Sequence, residues 1–117
     1  MKKVYYLSTC TTCKRIMKDL DLSDFILQDI KSSAITPAQI QSIYRLKPSY
    51  EALFSKRAQK YQTMSLKNKN LREEDFRELI LQEYTFLKRP IFIFDKAIFV
   101  GNSKENISAL KETLSNE

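Results

Sequence analysis

Val4-Tyr5-Tyr6-Leu7-Ser8-Thr9-Cys10-Thr11-Thr12-Cys13-Lys14-Arg15 holds both cysteines of this chain, three residues apart, and its reading decides the fold. Val4 to Leu7 is a short apolar run with a β-branched residue and two tyrosines, which suits a buried strand. After Cys13 the period changes: Ile16, Met17 and Leu20 recur at three and four residues. Thr11 or Thr12 is in place to supply a cap oxygen, so the cysteine loop is expected to open directly into a helix. Two cysteines scattered at random over a chain of this length would take this spacing only about two times in a hundred, so the pair itself carries information.

Working outward, Phe25-Ile26-Leu27 with Gln28-Asp29-Ile30 reads as a second strand, parallel to the first because a helix intervenes. Thr36-Pro37-Ala38-Gln39 is a helix start, with threonine as cap, proline at the first helical position and glutamine placed to close a capping box. Pro48 stops that helix, and Ser49 is placed to cap a short one carrying Tyr50, Leu53 and Phe54. Residues 57–70 are polar and without clear period, and receive no assignment. A helix is expected over Asn70–Tyr84, with Glu73, Glu74 and Asp75 in its first turn. Ile91-Phe92-Ile93-Phe94, a reversal at Asp95-Lys96-Ala97, and Ile98-Phe99-Val100 form a hairpin closed by Gly101. Ser103 then starts a last helix with Ile107, Leu110 and Leu114 on one stripe. The order β-α-β, helical insert, β-β-α makes an α/β chain with a mixed four-stranded sheet.

At 117 residues and 43% hydrophobic content the chain is large enough for a core that needs neither disulfides nor a metal, and a single domain over 1–117 is expected, with a helical insert at about 36–84. No apolar run approaches membrane-spanning length, and Met1-Lys2-Lys3 leads straight into Val4 without a secretory pattern. A cytoplasmic protein without a membrane partner is the resulting expectation. Residues 45–72 carry eight basic residues against one acid, Glu51, a window of +7 in a chain of +6 overall. This basic middle points to an anionic partner or to a solvated helical surface. Direct nucleic-acid binding ranks below both, since no recognised reading motif accompanies the charge.

A thiol attacks only as its thiolate, and a helix start favours that anion through free N–H groups and the positive dipole end. Cys10 precedes such a start, Lys14 and Arg15 add positive charge, and the spacing lets Cys13 reach Cys10 for a disulfide. Cys10 is therefore expected to attack and Cys13 to resolve. Zinc is disfavoured because two cysteines and no histidine fall short of four ligands, so no metal and no bound cofactor are expected. A pair of inert, buried thiols is the competing reading.

Cys10-Thr11-Thr12-Cys13-Lys14, Ser55-Lys56-Arg57 and Leu87-Lys88-Arg89-Pro90-Ile91 together resemble a thioredoxin-fold family. That family contains the glutathione-linked arsenate reductases (ArsC) and the Spx-type redox-sensing transcription regulators. The resemblance runs along nearly the whole chain and implies a thioredoxin-like fold. It also implies a cis proline at Pro90 facing the active cysteine, and an oxyanion site lined by Arg57 and Arg89. Guanidinium forks bind tetrahedral oxyanions and steady a nearby thiolate, which gives both arginines an independent rationale. Arsenate reductases of this type carry a third arginine after the hairpin, where Gly101 stands here. The Spx-type regulators usually carry a glycine where Pro48-Ser49 stands. Two functions follow from the resemblance. One is an arsenate reductase-like thiol oxidoreductase acting on a small oxyanion or disulfide, with catalytic Cys10 and Cys13, substrate-binding Lys14, Arg57, Arg89 and Pro90, and glutathione, glutaredoxin or thioredoxin as electron donor. The other is an Spx-like redox-sensing regulator that binds the RNA polymerase alpha subunit.

Overall fold

The computed structural model describes residues 1–116. Its contacts divide the chain into two units, one made of Met1–Ser33 and the chain from Arg89 onward, the other of Ala34–Lys88.

The first unit is built on a four-stranded sheet of β1 (Lys2–Tyr6), β2 (Ile26–Asp29), β3 (Ile91–Phe94) and β4 (Ala97–Val100), in the order β2-β1-β3-β4. β1 and β2 are parallel, with Val4 opposite Leu27 and Tyr6 opposite Asp29. β3 is antiparallel to both β1 and β4, so the sheet is mixed as the sequence implied. The reversal is tighter than the sequence suggested: Ala97 already pairs with Phe94, leaving Asp95-Lys96 as a two-residue turn. Asp95 enters the left-handed region at φ 55°, which a short polar side chain tolerates. Gly101, at φ 89°, turns the chain out of β4 where a Cβ would be costly.

Two helices pack on one face of this sheet, α1 (Thr11–Lys18) and the C-terminal helix Lys104–Ser115. Val4, Ile16, Phe92 and Leu110 form the buried cluster between them, flanked by Tyr6, Met17, Ile107 and Leu114. The Ile107, Leu110 and Leu114 stripe thus does what its spacing predicted. On the opposite face Tyr5, Ile91 and Ile93 are also withdrawn from water.

The second unit is helical: α2 (Pro37–Leu46), α3 (Tyr50–Leu53), α4 (Gln59–Thr63) and α5 (Glu73–Gln82), with single 3-10 turns at Leu66–Asn68 and Tyr84–Phe86. The C-terminal helix is accordingly α6. Thr36 and Gln39 close the capping box read from the sequence, each side chain accepting from the other's backbone N–H at 3.1 Å. Ser49 caps α3 by accepting from Ala52 N–H at 3.1 Å. The unassigned stretch 57–70 folds into α4 and the first 3-10 turn. α5 is shorter than expected at both ends. Asp75 accepts from the Arg72 N–H at its start, and beyond Gln82 the extended Glu83 accepts from Thr85 instead of continuing the helix.

Phe54 centres this unit, stacked on Phe86 at 4.8 Å and meeting Phe76 edge-on at 5.0 Å. Around it the chain segments pair: Ser55 N–H donates to the Phe86 carbonyl at 2.6 Å, and Lys88 N–H to the Leu53 carbonyl at 2.8 Å. Glu73 fastens α3 from outside, its carboxylate accepting from Tyr50 N–H at 2.6 Å and Glu51 N–H at 3.1 Å. Replacing Glu73 with alanine removes both acceptors from a helix start. Urea unfolding should register a loss of about 1 kcal/mol, the usual cost of a lost cap, and an unchanged midpoint would contradict this role.

Candidate thiol site

The site begins with the turn that ends β1. Cys10 N–H donates to the Leu7 carbonyl at 3.0 Å, and the chain passes from this turn straight into α1. Cys10 itself occupies the cap position, with extended backbone angles, where a threonine was the sequence-based candidate. Thr11 and Thr12 are instead the first residues of the helix. The consequence is chemical: the atom at the helix start is a sulfur, next to the first backbone N–H groups of the helix and the positive end of its dipole.

Both cysteines are free thiols, Cys10 partly exposed and Cys13 wholly buried. Their environments push them apart. Burial acts most strongly on Cys10 and raises its pKa, but the Cys13 backbone N–H and thiol, together with the charge and hydrogen bonding of the Arg89 guanidinium, outweigh it and leave the thiol below its ordinary value. The Cys10 sulfur closes no cap bond of full hydrogen-bonding geometry; it lies near enough to these donors for each to favour the anion. Cys13 is pushed up to about 12, first by burial and then by its hydrogen bond to Cys10 and the charge on that sulfur, against the opposing Leu7 N–H. One sulfur is partly exposed and inclined to ionise; the other is sealed and held protonated beside it. Such a pair can form a mixed disulfide at the first sulfur and close an internal disulfide with the second.

Arg89 reaches Cys10 from two residues before β3, joined by a cis bond to the buried Pro90, whose carbonyl accepts from Gly101 N–H at 2.9 Å. Of the residues singled out from the sequence, Cys10, Cys13 and Arg89 are thus brought together, with Pro90 adjoining. Lys14 is on α1 but turned to solvent. The leading cationic influence on Cys10 is Arg89 and not the neighbouring lysine. Arg57 belongs to the helical unit and is exposed, next to Lys88.

Two residues escaped sequence reasoning. Lys88 has its proton affinity lowered, first by burial and then by Lys47, Lys56 and Arg57, which marks a cluster of four cations within the helical unit. Asp29 accepts from the Ser8 N–H at 3.1 Å, two residues before Cys10. Among the described residues there is no group of three or more histidine, cysteine, aspartate or glutamate side chains placed to hold a metal ion.

A sheet ordered β2-β1-β3-β4 with a cysteine pair at the start of the first helix and a cis proline opening the third strand defines a thioredoxin-like protein. The profile of the ArsC family matches residues 5–110, and the chain belongs to that family. Among curated proteins it is 26% identical over 107 residues to the global transcriptional regulator Spx 2 of Bacillus cereus, covering 89% of this chain and 82% of that one. Its fold matches the crystal structure of an ArsC family related protein from Bacteroides fragilis with a TM-score of 0.77 at 19% identity, over 93% of this chain and 96% of the other. It also matches an arsenate reductase from Vibrio cholerae with a TM-score of 0.71 at 13% identity, over 94% and 95% of the two chains. The expected fold and family are therefore found.

Two outcomes follow from the site. Removing the guanidinium in Arg89→Ala should slow iodoacetamide labelling of Cys10 at neutral pH several-fold and move its pH profile upward, and an unmoved profile would contradict the contact. Cys13 bears on alkaline stability. Its folded pKa lies above the ordinary value, so in the window from about 9 to about 12 the unfolded chain releases a proton that the folded chain keeps. Stability is full below that window and falls as pH rises through it, by up to about 1.4 kcal/mol per pH unit. Urea unfolding of the reduced protein above pH 9 should show this loss relative to Cys13→Ala, and parallel curves for the two would count against it.

Proposed function

We propose that the chain is a thiol oxidoreductase of the arsenate reductase-like kind, working through a Cys10–Cys13 dithiol. The observation that carries this reading is the divergence of the two sulfurs, one lowered beside Arg89 and one raised by burial. With a disulfide substrate, the Cys10 thiolate attacks one sulfur, forms a mixed disulfide and expels the other sulfur as a thiolate. Cys13 then gives up its proton and attacks the Cys10 sulfur, releasing the second substrate thiolate and leaving a Cys10–Cys13 disulfide. The substrate gains two electrons and the dithiol loses two. With an oxyanion such as arsenate, Cys10 displaces a hydroxide to form a thiol adduct, and attack by Cys13 releases the two-electron-reduced oxyanion. Arg89 steadies the attacking and leaving anions, Arg57 is the further cation that the family pattern assigns to the oxyanion, and Lys14 adds positive charge on α1. Glutathione with glutaredoxin, or thioredoxin, returns the disulfide to the dithiol. The cytoplasm is the compartment that maintains such donors. No helix among the described residues is long and apolar enough to cross a membrane.

The second reading is a redox-sensing regulator of the Spx kind, in which the same disulfide changes affinity for the RNA polymerase alpha subunit. The similarity to Spx 2 along most of the chain favours it, as does the cluster of Lys47, Lys56, Arg57 and Lys88 around Glu51, a surface suited to an acidic protein partner. Glu51 is itself paired with Lys56 at 2.8 Å, so the patch keeps an excess of positive charge.

Turnover separates the two. NADPH oxidation coupled to arsenate or to a low-molecular-weight disulfide, through glutathione and glutaredoxin or through thioredoxin, should be measurable, vanish in Cys10→Ser and fall in Arg89→Ala. No turnover with any donor, together with oxidation-dependent capture of polymerase alpha, would replace the enzyme with the regulator.

A further inference from the structure

Asp29 is the last residue of β2 and stands opposite Tyr6, the last residue of β1, in the parallel ladder. The ladder continues one step further, where Ile30 N–H donates to the Tyr6 carbonyl at 2.9 Å. Past Tyr6 the first strand breaks into the turn Leu7-Ser8-Thr9-Cys10, and here Asp29 reaches across. Its Oδ1 accepts from the Ser8 N–H at 3.1 Å and from the Lys31 N–H at 3.2 Å, while Oδ2 accepts from the Ser32 hydroxyl at 3.2 Å. The Asp29 carbonyl is engaged as well, accepting from Ser33 N–H at 2.8 Å. One carboxylate therefore ties the turn that carries the nucleophile to the turn that follows β2.

The two consecutive amides of that turn have separate duties. Leu7 N–H serves the Cys13 sulfur, and Ser8 N–H is held by Asp29. Cys10 N–H closes the same turn onto the Leu7 carbonyl, so the anchored Ser8 lies inside the turn from which Cys10 enters α1. The donors explain why the carboxyl is held below its usual range: the Ser8 hydroxyl first, then, against some cost of burial, the Ser8 and Lys31 amides and the Ser32 hydroxyl.

We propose that Asp29 is a positioning residue for Cys10, holding the Leu7–Cys10 turn so that the sulfur stays at the start of α1 beside the Cys13 amide and Arg89. It touches no reacting atom. The inference rests on Cys10 being the reacting thiol and on nothing about the substrate. Geometry and charge pull in opposite directions at this position, which makes the claim separable. A negative charge near a thiol opposes its ionisation, so charge alone predicts that neutralising Asp29 makes Cys10 ionise more readily. A positioning role predicts that losing the acceptor makes it ionise less readily.

The test is the pH profile of iodoacetamide labelling at Cys10, read by mass spectrometry on the full reduced chain. It is run for the wild type, Asp29→Ala, Asp29→Asn and Asp29→Glu. Asp29→Ala should slow labelling at neutral pH about fivefold or more and shift the profile upward. Asp29→Asn keeps an oxygen for the Ser8 and Lys31 amides but loses the charge, and should label at least as fast as the wild type. Asp29→Glu keeps the charge but displaces the acceptor by one methylene, and should behave as the alanine variant does, carrying the test if that variant fails to fold. Faster labelling in both Asn and Ala, or a wild-type profile in both Ala and Glu, would overturn the proposal. A wild-type Cys10 that labels no faster than a model thiol would instead sink the proposed function, a result distinguishable from either.

Discussion

The structure depends on a contest at one sulfur atom. Removing Cys10 partly from water costs its thiolate more than any single interaction returns, and the Cys13 amide and thiol together with Arg89 reverse the balance. These contributions arrive from two separate parts of the chain. The amide and the thiol both belong to Cys13, buried in the first turn of α1, and the guanidinium to Arg89, two residues before β3. The parallel pairing of β1 with β2 and the antiparallel pairing of β1 with β3 bring those parts to one end of the sheet. Without the central position of β1 there is no common place for them to meet.

The same arrangement separates the two cysteines chemically. At i and i+3 across a helix start, one side chain faces the opening of the helix while the other points down into the core. Cys13 lies on the same buried side of α1 as Ile16, and its exclusion from water pushes its pKa up. A dithiol with both sulfurs equally exposed would have no built-in order of attack. In the proposed reaction the order of attack would follow from which sulfur water can reach.

Much of the architecture was readable in the residues. Thr36-Pro37-Ala38-Gln39 fixed the start of α2 because its caps are local, and Pro48 with Ser49 marked the break before α3 for the same reason. The hairpin was visible in two β-rich runs around Asp95-Lys96. What resisted reading depends on distant partners. Residues 59–68 have no period of their own, and only Leu66 of that stretch is buried. Thr11 and Thr12 looked like caps by side-chain preference, yet the turn closed by Cys10 N–H on Leu7 puts the sulfur there instead. The role given to Asp29 depends on strand register, and the Lys88 cluster on the pairing of residues 53–55 with 86–88; neither register is written in a local pattern. Membership of the ArsC family was carried by three short motifs, and the match over residues 5–110 extends it to nearly the whole chain.

The most direct measurement is a pH titration of the reduced protein labelled with carbon-13 at the cysteine β-carbons, which follows both thiols at once without a substrate or a partner. The account predicts two well-separated transitions, with Cys10 ionising below the ordinary thiol range and Cys13 remaining protonated far above it. A single shared transition, or two near the ordinary thiol value, would contradict it.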